Sequence, residues 1–243
     1  MITPDIFDTS SSLHIAAADY FLNCYKEATE RHNAFHVALS GGSTPKFLYQ
    51  LLAKPPYKTE IDWSKVFIYF GDERFVPHTH DDSNYKMASE ALLLNVPLVI
   101  DHIQSVDTSL SSAELTAEDY HLRLTQQLPR DKQGNQQFDL VLLGLGPDGH
   151  TASLFPDTDI LQQTKTLCDA VYVAKFDSWR ISITYPAINH AAHILLLSEG
   201  AGKVDIIHEL VNAQETDNKY PIQAVKPKHI MHWFIDKAAA ARL

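Results

Sequence analysis

The run Gly144-Leu145-Gly146-Pro147-Asp148-Gly149-His150 sets a carboxylate two residues before an imidazole, at the end of the apolar stretch FDLVLLG (138–144). A neutral histidine at a strand end is poised to take a proton from water near pH 7. By spacing alone His150 fits a capping or packing role equally well. Asp72, Glu73 and Arg74 follow a second apolar stretch, VFIYF (66–70). Ligands bind at the carboxyl edge of open α/β sheets, although a solvated charged turn reads the same way. A third stretch, FHVAL (35–39), leads into Ser40-Gly41-Gly42-Ser43-Thr44 and then a helical pattern. Paired glycines let a backbone approach a ligand, and amides at a helix N-terminus favour an anion. Thr44 is expected as the N-cap and Pro45 as the first helical residue. A tight turn with a good cap would carry the same residues. Arg180 and Lys203 stand where later strands begin or end, and either suits a phosphate or a solvated surface.

Several rival chemistries fail on context. The loop lacks the GK[ST] ending of a P-loop. Gly144, Gly146 and Gly149 spell GxGxxG, but Pro147 occupies the loop and Pro156 cuts short any following helix. Asp169 is expected to precede a strand, where a dinucleotide site needs an acid at a strand end. His78, His80 and Asp82 imitate HxHxDH, a zinc-type pattern whose last ligand is replaced by Ser83. No GxSxG elbow exists, and neither Cys24 nor Cys168 sits at a strand–helix turn, so a covalent nucleophile has little support.

The elements that must hold these groups are short apolar strands alternating with helical patterns. Further strands are expected at 171–174, 180–184, 193–198 and 229–235. Helices are expected at 13–30, 45–53, 83–94, 111–128 and 202–212. On the first helix Ala17, Phe21, Cys24 and Ala28 share a face. Continuous apolar runs suit strands covered on both faces, and strand–helix alternation predicts an α/β fold with a mainly parallel sheet. No linker divides the chain, so residues 1–243 read as one domain. Of 243 residues, 45% are hydrophobic and 21% charged, which excludes wholesale disorder. The net charge of −10 argues against non-specific nucleic-acid binding, while a few focused cations can still hold a small phosphate. Two cysteines make no disulfide framework, which suits a reducing compartment. The opening MITPDIFD has no secretory pattern, and no apolar run approaches the ~20 residues of a membrane span.

Taken in order, LSGGSTP (39–45), GDER (71–74) with SNY (83–85), GxGxDGHTASLFP (144–156) and RISIT…N…GAGK (180–203) resemble the 6-phosphogluconolactonase family, grouped with glucosamine-6-phosphate deaminases in a larger sugar-phosphate superfamily. DGHTASLFP is the most specific block. The resemblance implies a doubly wound, Rossmann-like α/β fold and hydrolysis of 6-phospho-D-glucono-1,5-lactone in the oxidative pentose phosphate pathway. It implies a carboxylic ester hydrolase with no organic cofactor; no metal is expected either, because HTHDD lacks its last ligand and a lactone needs no Lewis acid. The expected partner is the sugar phosphate lactone, with no nucleic acid or membrane. The expected setting is a cytoplasmic monomer or weak homo-oligomer. One departure concerns the segment between Lys175 and Arg180. Family members carry prolines there, and this chain has Phe176-Asp177-Ser178-Trp179.

The implied roles follow residue by residue. His150 takes a proton from the attacking water, and Asp148 orients the imidazole or the water. Arg74 stabilises charge on the lactone oxygen, and Asp72 holds Arg74 or a sugar hydroxyl. Ser40, Gly41, Gly42, Ser43 and Thr44, with Arg180 and Lys203, take the 6-phosphate. A deaminating isomerase would need a glutamate five residues after the histidine, where this chain has Phe155. A non-catalytic sugar-phosphate sensor has no need of the Asp148/His150 pair.

Overall fold

A computed structural model describes residues 3–214 and 219–243. The chain runs β1 (Asp5–Phe7), α1 (Ser10–His32), β2 (Phe35–Leu39), α2 (Ser43–Leu52), α3 (Tyr57–Glu60), β3 (Val66–Phe70), β4 (Asp72–Arg74), α4 (Asn84–Ala91), β5 (Ile103–Gln104) and α5 (Ala113–Gln127). It continues through β6 (Leu140–Gly144), β7 (Cys168–Val173), β8 (Ser178–Ile183), α6 (Tyr185–Asn189), β9 (His193–Ser198), α7 (Val204–Asn212) and β10 (Ile230–Asp236). The unalternating runs β2 and β9 are buried at every position, as expected of strands covered on both faces.

Seven strands form a central sheet in the order β1-β10-β9-β6-β2-β3-β5. Every pairing in it is parallel. From β2 the chain winds outward through β3 to β5, returns to β6 on the other side of β2, and winds outward again to β9 and β10. The reversal lies between β2 and β6. Their carboxyl ends therefore flank the crevice of a topological switch point. Helices flank this sheet, in the expected α/β arrangement.

Two expected strands are not in that sheet. β7 and β8 are antiparallel neighbours, and β4 pairs with β8 to complete a separate three-stranded sheet. The reason is local. A short turn closed by Asp177 in the left-handed region (φ 47°) folds β8 straight back onto β7. A parallel neighbour would need a long crossover. Asp169 consequently lies inside β7 instead of ahead of it. β1, β4 and β5 span two or three residues each, too short for periodicity to reveal.

Helix ends follow their caps. Thr9 and Ser12 form a capping box that starts α1 three residues before the expected Leu13, and Asn33 at φ 60° ends it. The face carrying Ala17, Phe21, Cys24 and Ala28 is buried. α2 begins at Ser43 with Gly42 as its N-cap, so Thr44 and Pro45 lie within its first turn and not at its cap. α4 and α5 end earlier than expected, and α7 starts at Val204, just past Lys203. Residues 151–158 form no helix; the chain turns through Ala152 at φ 47°.

Two buried tyrosines finish the central strands. Tyr49 OH accepts from Ser40 N (2.9 Å) and donates to Ser40 O (2.8 Å), and Tyr120 OH does the same for Phe70 N and O (2.8 and 3.1 Å). Each phenol satisfies the backbone of a residue at or just beyond the strand end, where the regular ladder stops. Among the described residues, no helix is long and apolar enough to cross a membrane.

Candidate active site

The loops leaving β2, β3, β6 and β9 all open at the carboxyl edge of the central sheet. They enclose a cleft of two lobes. One, of about 320 Å³, is lined by Ser40–Pro45, the Gly144–Pro147 loop, Ser198, Glu199 and Lys203. The other, of about 390 Å³, is lined by Asp82, Ser153, Phe155, Phe176 and Arg180 among others. Asp72, Arg74, His150 and Ala152 line both and form the junction. Both volumes fall in the range of small-molecule sites.

At the junction His150 Nδ1 makes a short hydrogen bond to Asp148 Oδ1. With that proton on Nδ1, the neutral ring keeps its lone pair on Nε2. Burial pushes the Asp148 carboxyl up, but the hydrogen bond from His150 and its electrostatic pull outweigh it, leaving the carboxyl below its usual range. The imidazole stacks on Phe155 with centroids 4.0 Å apart. Lys175 Nζ lies 3.4 Å from Asp148 Oδ2, and Phe176 and Ser178, in the segment with the unexpected sequence, line the second lobe. Gly146 is required by this geometry. A Cβ there would lie 2.0 Å from His150 Nδ1. This glycine of the GxGxxG-like run makes room for an imidazole, not a dinucleotide.

Asp72 is buried and does not hold Arg74. Its Oδ1 accepts from Asn84 Nδ2 (3.1 Å) and its Oδ2 from Ser153 Oγ (2.7 Å). Arg74 Nη1 donates instead to the Asp82 carbonyl (2.6 Å). Glu73, fully buried, accepts from Arg74 N, Asn84 N, Tyr85 N and Ser83 Oγ at 2.7–3.0 Å. Burial pushes its carboxyl up, while those four bonds favour the ionised form. This carboxylate clamps the α4 N-terminus onto β4, which is the physical link between GDER and SNY. It also delivers Asn84 to Asp72. A Cβ on Gly41 would come within 2.1 Å of Asn84 Oδ1, so the loop after β2 passes close over the same amide.

Arg74 and Arg180 face each other in the β4–β8 ladder. Like charges directly opposed destabilise a sheet. Both Nε atoms are buried without a partner among the described residues. Burial, then the neighbouring Arg74, pushes the Arg180 guanidinium pKa down. Such a pair is suited to negative charge in the second lobe.

The first lobe gathers the Ser40–Thr44 loop with Lys203, two of the groups that the resemblance brought together. It does not include Arg180, which the β8 register carries to the far side of the junction. Lys203 Nζ donates to Leu145 O (2.5 Å), and burial pushes its ammonium pKa down against the pull of Asp148. Ser198 Oγ is buried in this lobe without a partner among the described residues. Asn84 and Ser153 lay inside the SNY and TASLFP blocks with no role assigned. Ser198 carried no sequence signal beyond ending an apolar strand, and Glu199 none beyond following it. His78 Nε2 bonds the Val106 carbonyl (2.7 Å), whereas His80 lies near exposed Asp82, so they are drawn to different partners.

Residues 8–234 match the family described as glucosamine-6-phosphate isomerases/6-phosphogluconolactonase. A protein of Arabidopsis thaliana named 6-phosphogluconolactonase 3, chloroplastic, is 36% identical over 246 residues, covering 98% of this chain and 74% of its own. A 6-phosphogluconolactonase of Nostoc sp. is 34% identical over 242 residues, covering 99% and 98%. The solved structure of 6-phosphogluconolactonase from Trypanosoma brucei superposes with a TM-score of 0.88 at 29% identity, covering 100% of this chain and 99% of that one.

Proposed function

The chain belongs to the glucosamine-6-phosphate isomerase/6-phosphogluconolactonase family, and from that membership we infer that it is a 6-phosphogluconolactonase. It hydrolyses 6-phospho-D-glucono-1,5-lactone to 6-phospho-D-gluconate, a step of the oxidative pentose phosphate pathway. The observation that carries the reading is the Asp148–His150 pair at the junction of an amide- and lysine-lined lobe with a lobe bearing two guanidiniums.

In this reading the 6-phosphate occupies the first lobe. The Gly41–Thr44 amides and hydroxyls, Ser198 Oγ and Lys203 hold it there. The lactone ring lies across the junction. His150 Nε2 takes a proton from water as the water oxygen attacks the lactone carbonyl carbon. Negative charge develops on the carbonyl oxygen beside Arg74, with Arg180 behind it. Collapse expels the ring oxygen, which recovers a proton from His150, and the new carboxylic acid ionises. Water alone balances the reaction, since a δ-lactone is an activated ester. Asp148 holds the imidazole tautomer and Asp72 a sugar hydroxyl. Assigning Arg180 to the carbonyl end revises the sequence-based expectation, because it lines the lobe opposite Lys203. Phe155 packs on His150 where an isomerase would need an acid, which favours hydrolysis over deamination. The protein acts in the cytoplasm, as a monomer or weak homo-oligomer.

The deciding experiment adds pure protein to freshly made lactone and follows acid release at constant pH. Release well above the spontaneous rate is expected; a rate equal to the blank refutes the reading.

A further inference from the structure

The lobe assigned above to phosphate also contains a carboxylate. Glu199 lines it beside Lys203, with its side chain only 15% exposed. A carboxylate so placed repels a phosphate dianion unless it is held away from it. Its partners come from α1, an element the mechanism does not use. Ser10 Oγ donates to Glu199 Oε2 (2.6 Å), and His14 Nε2 lies 3.9 Å from Oε1. His14 is itself buried. The same Nε2 is 3.0 Å from the carbonyl of Thr44, in the first turn of α2. Its Nδ1 is 2.7 Å from the Ser10 carbonyl and 3.3 Å from Ser10 Oγ. Each ring nitrogen therefore faces a carbonyl oxygen, a group that only accepts. One imidazole thus spans three segments that meet behind the lobe: the start of α1, the glycine-rich turn into α2, and the residue after β9.

We propose that His14, seconded by Ser10, is a positioning residue for phosphate recognition. It ties the Ser40–Thr44 turn to α1 and holds the Glu199 carboxylate off the bound phosphate. The proposal rests on the assignment of phosphate to this lobe. His14 lines neither lobe, so its loss falls on binding of the phosphorylated substrate and not on the chemical step.

The test compares 6-phosphogluconolactone with unphosphorylated gluconolactone. Wild type is measured first; no hydrolysis, or no preference for the phosphorylated lactone, rejects the functional reading itself. With that preference in hand, His14→Ala is expected to raise KM for the phosphorylated lactone about tenfold with kcat within about twofold. Its kcat/KM for the unphosphorylated lactone stays at the wild-type value. Glu199→Gln is measured alone and in His14→Ala; it recovers at least about twofold in KM in the His14→Ala background and less in wild type, a coupling that a merely structural histidine would not show. Should His14→Ala not fold by circular dichroism, Ser10→Ala with and without Glu199→Gln makes the same comparison. An unchanged KM, an equal loss on both lactones, or no recovery with Glu199→Gln overturns the proposal.

Discussion

Arg180 and Lys203 are both cations of the cleft, and their separation into opposite lobes makes them distinguishable by substrate. Arg180 has a buried Nε without a partner among the described residues and stands across the ladder from Arg74. If it supports the carbonyl oxygen, Arg180→Ala removes one charge-assisted hydrogen bond from the transition state. Such a bond is worth roughly 1.5–3 kcal/mol, or about ten- to 150-fold in kcat/KM. Relief of the Arg74–Arg180 repulsion returns part of that, which places the loss toward the lower end. Both lactones carry the same carbonyl, so the fold-loss should match on 6-phosphogluconolactone and gluconolactone. Lys203→Ala should behave differently. It removes a phosphate partner, and the phosphorylated lactone should lose about ten- to 150-fold, mostly in KM. A smaller loss common to both lactones is expected, since Lys203 also holds the Leu145 carbonyl beside His150. Initial rates of acid release, corrected for spontaneous hydrolysis, give all four ratios. A loss in Arg180→Ala confined to the phosphorylated lactone would refute the lobe assignment and return Arg180 to the phosphate.

His150→Ala should lower kcat by about 10²-fold or more, the usual range for a general base, with KM little changed; near-native turnover would sink that assignment. Gly146→Ala forces a Cβ to within 2.0 Å of His150 Nδ1 and should lower kcat by about tenfold or more at near-native thermal stability, and full activity would show the imidazole free to sit elsewhere. Burial lowers the His36 pKa from 6.5 to about 4, so the folded state resists the proton that the unfolded chain accepts. The stability His36 contributes is complete above about pH 6.5 and drains away as pH falls toward 4, by up to about 3 kcal/mol. In His36→Phe the urea midpoint should therefore fall less between pH 7 and 4.5, and an unchanged difference would exclude His36 as the cause. Exhaustive dialysis against a chelator should leave turnover intact; loss restored by zinc would instead direct attention to His78, His80 and Asp82.

Local pattern carried much of this protein. The continuous apolar runs at 35–39, 66–70 and 193–198 become strands with those same ends, because burial on both faces leaves no alternation to blur. The Asp148–Gly149–His150 turn was legible for a similar reason: both side chains and the glycine that admits the ring lie within five residues. Tertiary structure decided what depends on distant partners. The apolar content of 171–174 and 180–184 is compatible with either sheet, and only hairpin closure at Asp177 pairs them with each other and with Asp72–Arg74. That pairing sends Arg180 away from Lys203, sets it against Arg74, and leaves Asp72 to Asn84 and Ser153. His14 and Glu199 stand 185 positions apart in sequence, and nothing local marks either. Their meeting follows from α1 packing beside α2 while β9 ends nearby, a product of the sheet's winding order that no spacing of residue types encodes.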